Sequence, residues 1–460
     1  MAQSRKLLII ANRLPINRAG HSSQGGWEIS PGGLVTALSP ILKEHGGAWI
    51  GWPGTAGTHL RPFTFDRIGI IPIRLTQKEV RSYYEGFSNE TIWPLFHDAI
   101  RPPKFVSEWW QPYTDVNWRF ARAAAKQARP GQLVWVHDYH LQLVPRMLRE
   151  LRPDIRIGFF LHIPFPPEEL FAWLPWRREL LQGMLGADVI GFQTTADVRD
   201  FSRAARMFTS AAGGDTLLRY RGRRIRVGAF PISIDFDEFE SIAKRGRVIH
   251  RALDIRRRVG STRRILLSVD RLDYTKGLDA RMIAFEQLLS RRLATVDDCL
   301  LMQVAVPSRE SVDEYAEIRG HIERTVGRIN GEYSVPGRIA VHYFRRNLNR
   351  EELVAHYLAA DVMLVTPLRD GMNLVAKEYI ATRTTNSGVL VLSEFAGAAH
   401  ELTQALLVNP RDTDGMVRAF DTALHLPLVE TRKRISRLRS QVRQHDVFHW
   451  ANSFIEALMQ

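Results

Sequence analysis

The chain of 460 residues has a single cysteine, Cys299. One thiol excludes an intramolecular disulfide framework and any metal site built from several cysteines, so Cys299 reads as a small buried residue. No apolar run reaches the roughly 18 residues that a membrane-spanning helix needs. Residues Met1 to Lys6 lead straight into a strand-like run, which points to a cytoplasmic protein with no membrane partner. Internal repeats and low-complexity tracts are missing, and no strand is followed by the glycine fingerprint of a dinucleotide oxidoreductase. Acidic residues are outnumbered: 63 Lys and Arg against 49 Asp and Glu give a net charge of +14. The basic runs at Arg219 to Arg226, Arg256 to Arg258 and Arg432 to Arg434 lie far apart and form no nucleic-acid module. They read mostly as solvated surface, and a positive field also suits a small substrate bearing phosphates.

With 45% hydrophobic and 24% charged residues, the chain can fill two cores, and its length predicts two domains of about 200 residues each. Short apolar runs alternate with longer amphipathic stretches. Leu7 to Ala11, Leu133 to Val136, Ile157 to Leu161 and Val189 to Phe192 read as buried strands of a first parallel sheet. A second series comprises Ile265 to Val269, Leu300 to Ala305, Ile339 to Tyr343, Val362 to Val365 and Gly388 to Leu392. This alternation predicts an α/β fold with two Rossmann-like domains facing a cleft. The proline-bearing stretch Ala229 to Asp235 is the best boundary.

The most informative segment is Thr366 to Tyr379, where a strand runs through an acidic loop and a glycine into a helix. Gly371 permits close backbone approach, and the N–H groups of Met372, Asn373 and Leu374 suit a pyrophosphate at the helix N-terminus. Asp370 would face sugar hydroxyls, and Glu378, about two turns along, could accept from a ribose. After another strand, Arg271 and Lys276 are two cations that could clamp a diphosphate and neutralise a leaving group. Each loop also has an ordinary reading as an acidic cap or surface charge. In the first half, Arg13 emerges at a strand's carboxyl end, where a buried charge would need an anionic partner. Gly32 and Gly33 suit a loop folded over a phosphate, or a plain turn. Tyr84 and Trp93 could pack on a sugar, although core packing is the default for aromatics. His137, Asp138, His140 and His162 follow two strands and could gather at one sheet edge. Hydroxyl recognition by Asp138 and His162 is favoured over a metal site, with His137 and His140 structural.

Taken in order, Ala11 to Pro15, Gly32-Gly33, Tyr84 to Trp93, His137 to His140, Phe160 to Pro166, Asp270 to Gly277, Arg328 to Gly331, Pro367 to Tyr379 and Leu392 to Ala398 resemble the motifs of the trehalose-6-phosphate synthase family, the retaining glycosyltransferases of family 20. The resemblance covers nearly the whole chain. It implies the GT-B fold, with an acceptor-binding domain over 1–235, a nucleotide-sugar domain over 236–440, and a C-terminal helix over 441–460 crossing back to the first domain. The implied reaction moves glucose from a nucleoside diphosphate, UDP-glucose foremost and GDP- or ADP-glucose as alternatives, to glucose 6-phosphate. The family resemblance places Arg13, Tyr84, Trp93, Asp138 and Arg309 at the acceptor. It places Gly33, Arg271, Lys276, Asp370, Gly371 to Leu374 and Glu378 at the donor, and Asp138, His162, Arg271, Lys276 and Asp370 at the reacting centre. No protein nucleophile, metal or other cofactor is implied, and a homodimer or homotetramer is compatible. A relative making glucosylglycerol phosphate, or one coupling cyclitols, would share the fold but change the acceptor residues.

Overall fold

The structure, a computed structural model, describes residues 7–18, 26–29, 35, 38, 41–42, 46–307 and 313–460. The chain divides into two compact units, Met1–Ile232 with Val447–Gln460, and Ser233–Asp446. Gly33 and Arg309 lie outside the described residues.

The first unit is built on a ten-stranded sheet. Its strands are β1 (Leu7–Arg13), β2 (Gly47–Trp52), β3 (Phe63–Phe65), β4 (Ile68–Pro72), β5 (Leu133–His137), β6 (Arg156–Phe160), β7 (Val189–Phe192), β8 (Ala212–Gly213), β9 (Leu217–Tyr220) and β10 (Arg223–Ala229). Their spatial order is β8-β9-β10-β7-β6-β5-β1-β2-β4-β3. From β10 to β4 every pair is parallel. Buried on both faces, the central strands read as unbroken apolar runs, which is why β1, β5, β6 and β7 are visible in the sequence. Strand β2 is not, because its sequence Gly-Ala-Trp-Ile-Gly-Trp mixes glycines with tryptophans. Those glycines have a packing role: a Cβ at Gly51 would sit 2.7 Å from the Arg13 carbonyl carbon. There the β1–β2 register shifts between Ile10 and Arg13, a bulge that re-aims the Arg13 side chain.

The second unit holds a six-stranded, all-parallel sheet. It comprises β11 (Arg264–Arg271), β12 (Cys299–Val306), β13 (Val341–Arg345), β14 (Val362–Val365), β15 (Val389–Ser393) and β16 (Leu406–Val408), in the order β13-β12-β11-β14-β15-β16. Strand β13 begins two residues later than its apolar run suggests. The Asn330 side chain bonds both the N–H and the carbonyl of Val341, while the Ile339 carbonyl accepts from Arg263. Helices α1 (Leu278–Ser290) and α2 (Leu374–Thr382) follow β11 and β14 through loops.

In both sheets the first strand is central, and the chain fills one side before crossing to the other. The switch falls between β1 and β5 in the first unit and between β11 and β14 in the second. Open α/β sheets bind ligands beyond the carboxyl ends of the strands at such points. Arg13 and Asp138 stand at one switch; Arg271, Lys276 and Asp370 stand at the other.

Helix α3 (Leu428–Gln444) stays in the second unit, and after His445 and Asp446 helix α4 (Val447–Met459) belongs to the first. There Phe454 stacks on Trp135 at 4.4 Å. It fills space left by Gly158 and Gly191, where a Cβ would lie 2.6 and 2.8 Å from its ring.

Candidate active site

The loop after β14 is braced by its own backbone. Asp370 N–H donates to the Phe395 carbonyl, Gly397 N–H to the Asp370 carbonyl, and Ala398 N–H to the Met372 carbonyl. Only a glycine fits at 397, since a Cβ there would lie 1.9 Å from the Gly371 carbonyl oxygen. The brace ends at Asn373, whose φ of 74° turns the chain into α2. As the first residues of a helix, Leu374 and its neighbours present N–H groups with no acceptor one turn back. That backbone can receive an anion at the positive end of the helix dipole.

Across the switch, the loop after β11 folds as a tight turn closed by Gly277 at φ 64°. Lys276 Nζ lies 2.5 Å from Asp370 Oδ2, and Asn373 Nδ2 donates to the same oxygen at 3.0 Å. The two loops are thus joined by the cation suited to a diphosphate and the carboxylate suited to sugar hydroxyls. Arg271, exposed at the end of β11, adds a second positive charge. Farther along α2, Glu378 accepts from the Tyr357 hydroxyl at 2.8 Å, and burial raises its pKa. Sequence reasoning missed Tyr357, because its role depends on a partner 21 residues away.

In the first unit, Asp138 follows β5 at φ 75° and ψ 168°. Its Oδ1 accepts from the His162 N–H at 3.3 Å. His137 Nδ1 and His162 Nε2 are 3.0 Å apart, and burial drives both rings toward neutrality, His162 to about 3. His137 Nε2 is buried with no partner among the described residues. The neutral pair therefore fits with His137 donating inward through Nδ1, which leaves His162 as a donor through its own Nδ1. Among the described residues, no group of three or more His, Cys, Asp or Glu side chains is placed to hold a metal ion.

Tyr84 lies on a 13-residue π-wound helix, Val80–Ile92. Such winding is rare and concentrates at functional sites. Its ring stacks on His140 at 5.7 Å and meets Trp52 edge-on at 5.6 Å. The Arg13 guanidinium lies over Trp52 at 4.9 Å and against Gly54, where a Cβ would be 1.9 Å from Nη2. Arg13 is exposed at the end of β1, although desolvation by the surrounding protein lowers its pKa. Trp93 is 4% exposed and packs on His97 and Tyr139 at 4.1 and 5.7 Å, and Tyr139 in turn packs on the His140 ring that stacks with Tyr84.

The family model of glycosyltransferase family 20 matches residues 5–460. This chain belongs to glycosyltransferase family 20. Trehalose-6-phosphate synthases of Mycobacterium avium (strain 104) and Mycobacterium leprae (strain TN) are each 50% identical to it, over 98% of this chain and 95% and 94% of theirs. Among solved structures, an alpha,alpha-trehalose-phosphate synthase (UDP-forming) from Burkholderia xenovorans in complex with glucose-6-phosphate superposes at a TM-score of 0.91. It is 36% identical and covers 99% of this chain and 100% of its own. A structure from E. coli bound with UDP-2-fluoro glucose superposes at 0.89, with 35% identity over 99% of each chain. The fold is therefore GT-B with two Rossmann-like domains, and the protein is a glycosyltransferase.

Proposed function

We propose that this enzyme transfers glucose from UDP-glucose to glucose 6-phosphate and forms alpha,alpha-trehalose 6-phosphate with retention at the donor anomeric carbon. The observation that carries this reading is the juxtaposition of Lys276, Asp370 and the α2 N-terminus at one switch point, in a chain half identical to trehalose-6-phosphate synthases. Lys276, Arg271 and the N–H groups of Met372 to Leu374 take the diphosphate, and Asp370 takes the sugar hydroxyls. Glu378 takes the ribose, with Gly33 in the loop over the donor. Arg13, Tyr84, Trp93 and Arg309 receive the acceptor phosphate and its surroundings, and Asp138 and His162 hold sugar hydroxyls.

The chemistry needs no protein nucleophile in this reading. The anomeric carbon–oxygen bond to the diphosphate breaks first, giving an oxocarbenium-like centre. The acceptor hydroxyl then attacks from the same face, and its proton passes to the departing diphosphate oxygen. The protein supplies position and positive charge. Because side chains and a helix end carry that charge, the reading includes no metal or other cofactor, and turnover in excess chelator is expected to be undiminished. It also includes a cytoplasmic location.

The decisive assay measures nucleoside diphosphate release from UDP-, GDP- and ADP-glucose, with and without glucose 6-phosphate, and identifies the sugar product. Release that requires glucose 6-phosphate and yields trehalose 6-phosphate supports the reading. If every donor is inert with glucose 6-phosphate, the acceptor assignment is wrong. Lys276→Ala is expected to lower turnover by about two orders of magnitude or more with the fold intact. Turnover near that of the unaltered enzyme would remove Lys276 from this role.

A further inference from the structure

Helix α1 carries an arginine where its pattern calls for an apolar residue. Leu278, Arg281, Met282, Phe285, Leu288 and Leu289 form its buried stripe, and Arg281 is fully buried. A guanidinium in such a place needs both a counter-charge and acceptors for its N–H groups. Asp270 Oδ2 supplies the charge at 2.7 Å and is itself held by Ser268 Oγ at 2.8 Å. Nη1 also reaches Gln303 Oε1 at 2.8 Å. The other two contacts leave this cluster. Nη2 donates to the Lys276 carbonyl at 3.1 Å, and Nε donates to Thr366 Oγ1 at 3.0 Å.

Lys276 closes the turn after β11, and Thr366 opens the loop after β14. A planar fork that donates to both fixes their separation, which a flexible ammonium could not do. Two further contacts act across the same gap. Leu368 N–H donates to the Thr275 carbonyl at 2.7 Å, and Gly277 approaches so closely that a Cβ would lie 2.3 Å from the Thr366 carbonyl oxygen.

We propose that Arg281 is a positioning residue for the donor diphosphate: it holds the Lys276 turn and the Thr366–Asn373 loop in the register at which Lys276 and the α2 N-terminus address one ligand. This rests on the nucleotide-sugar reading of that site. Arg281 itself touches no substrate in this account and acts through Lys276. A purely structural role is the alternative, since removing a partner from a buried ion pair also destabilises the fold.

Thr366→Val separates the two. It is nearly isosteric and leaves the Arg281–Asp270 pair in place while cutting the bond to the second loop. Calorimetric titration with UDP, GDP and ADP first establishes which nucleotide the unaltered enzyme binds. For that nucleotide, Thr366→Val is expected to weaken affinity about tenfold, the scale of one hydrogen bond to a charged group. Thr366→Ser, which keeps the hydroxyl, is expected to restore it. In a Lys276→Ala background the Thr366→Val effect is expected to shrink below about threefold, because the group being positioned is gone. Arg281→Lys is expected to weaken binding more than Thr366→Val. Affinity within twofold of the unaltered enzyme in Thr366→Val, or a loss of undiminished size in the Lys276→Ala background, overturns the proposal and leaves the functional reading intact. Failure of the unaltered enzyme to bind any of the three nucleotides would overturn that reading itself.

Discussion

Asp138 occupies a backbone region, φ 75° and ψ 168°, that is essentially reserved for glycine. Holding an aspartate there costs roughly 1–3 kcal/mol, and such strain collects where a side chain must be aimed. Glycine at this position is therefore expected to be more stable than alanine by about 1–2 kcal/mol, judged by denaturant midpoints, with both variants failing in turnover. Equal stability of the two would mean that the strain is absent. The neighbouring histidines make a pH prediction. Both are held neutral in the fold, with His162 near 3, whereas an unfolded chain binds protons near 6.5. Between those values the unfolded state holds more protons, so this contribution to stability is complete above pH 6.5 and is lost as pH falls toward 3. The expected slope is about 1.4 kcal/mol per pH unit per histidine. Denaturation midpoints from pH 7 to pH 5 should show it, and His137→Gln should flatten it.

Among the elements, helix α4 shows how packing can override proximity in sequence. It follows α3 after two residues, yet it belongs to the other unit, where Phe454 and Trp450 pack against Trp135 and Phe160. The recipient strands contribute by omission, since Gly158 and Gly191 leave the gap that Phe454 fills. Phe454→Ala is expected to cost about 3–5 kcal/mol, because backbone glycines cannot move in to fill the void. A loss under about 1 kcal/mol in equilibrium unfolding would show that α4 is only loosely attached. The Val80–Ile92 helix makes a related point: Gly86 lies where a Cβ would be 2.6 Å from the Trp109 ring, so the winding that presents Tyr84 is locked by close packing.

At the scale of the whole molecule, the two sheets repeat one device with different contents. Each places its loops at a switch in strand order: aromatic, histidine and arginine groups in the first unit, lysine, aspartate and a helix N-terminus in the second. The ligands should therefore report separately. Nucleoside diphosphate is expected to slow amide exchange in 264–278 and 366–400 with little effect on 7–13 and 133–162. Glucose 6-phosphate is expected to do the reverse. Protection by both ligands confined to a single unit would contradict the division of labour. On the proposed function, the charge of +14 adds a field that favours both anionic substrates, so the apparent affinity for glucose 6-phosphate should weaken with rising ionic strength.

Buried parallel strands announce themselves as apolar runs, and every strand read from the sequence is present, with β13 displaced by two residues. Arg271, Lys276 and Asp370, at or just past strand ends, and Glu378 on the helix that follows could be singled out as candidates from the sequence because their chemistry and their positions after apolar runs are local properties. Strands β2 and β4 were not, because a strand made of glycine and tryptophan, or one ending in proline, carries no clean pattern. What the chain alone determined was which residues stand at strand ends. Strand order decided which of them meet: Lys276 finds Asp370 across 94 residues and His137 finds His162 across 25, while Arg281, on the helix after β11, finds Thr366 across 85. The strain at Asp138 and the solvent access of Arg13 likewise arose only in the folded chain. Both depend on how neighbouring strands crowd a backbone, and a one-dimensional pattern of residue types does not encode that crowding.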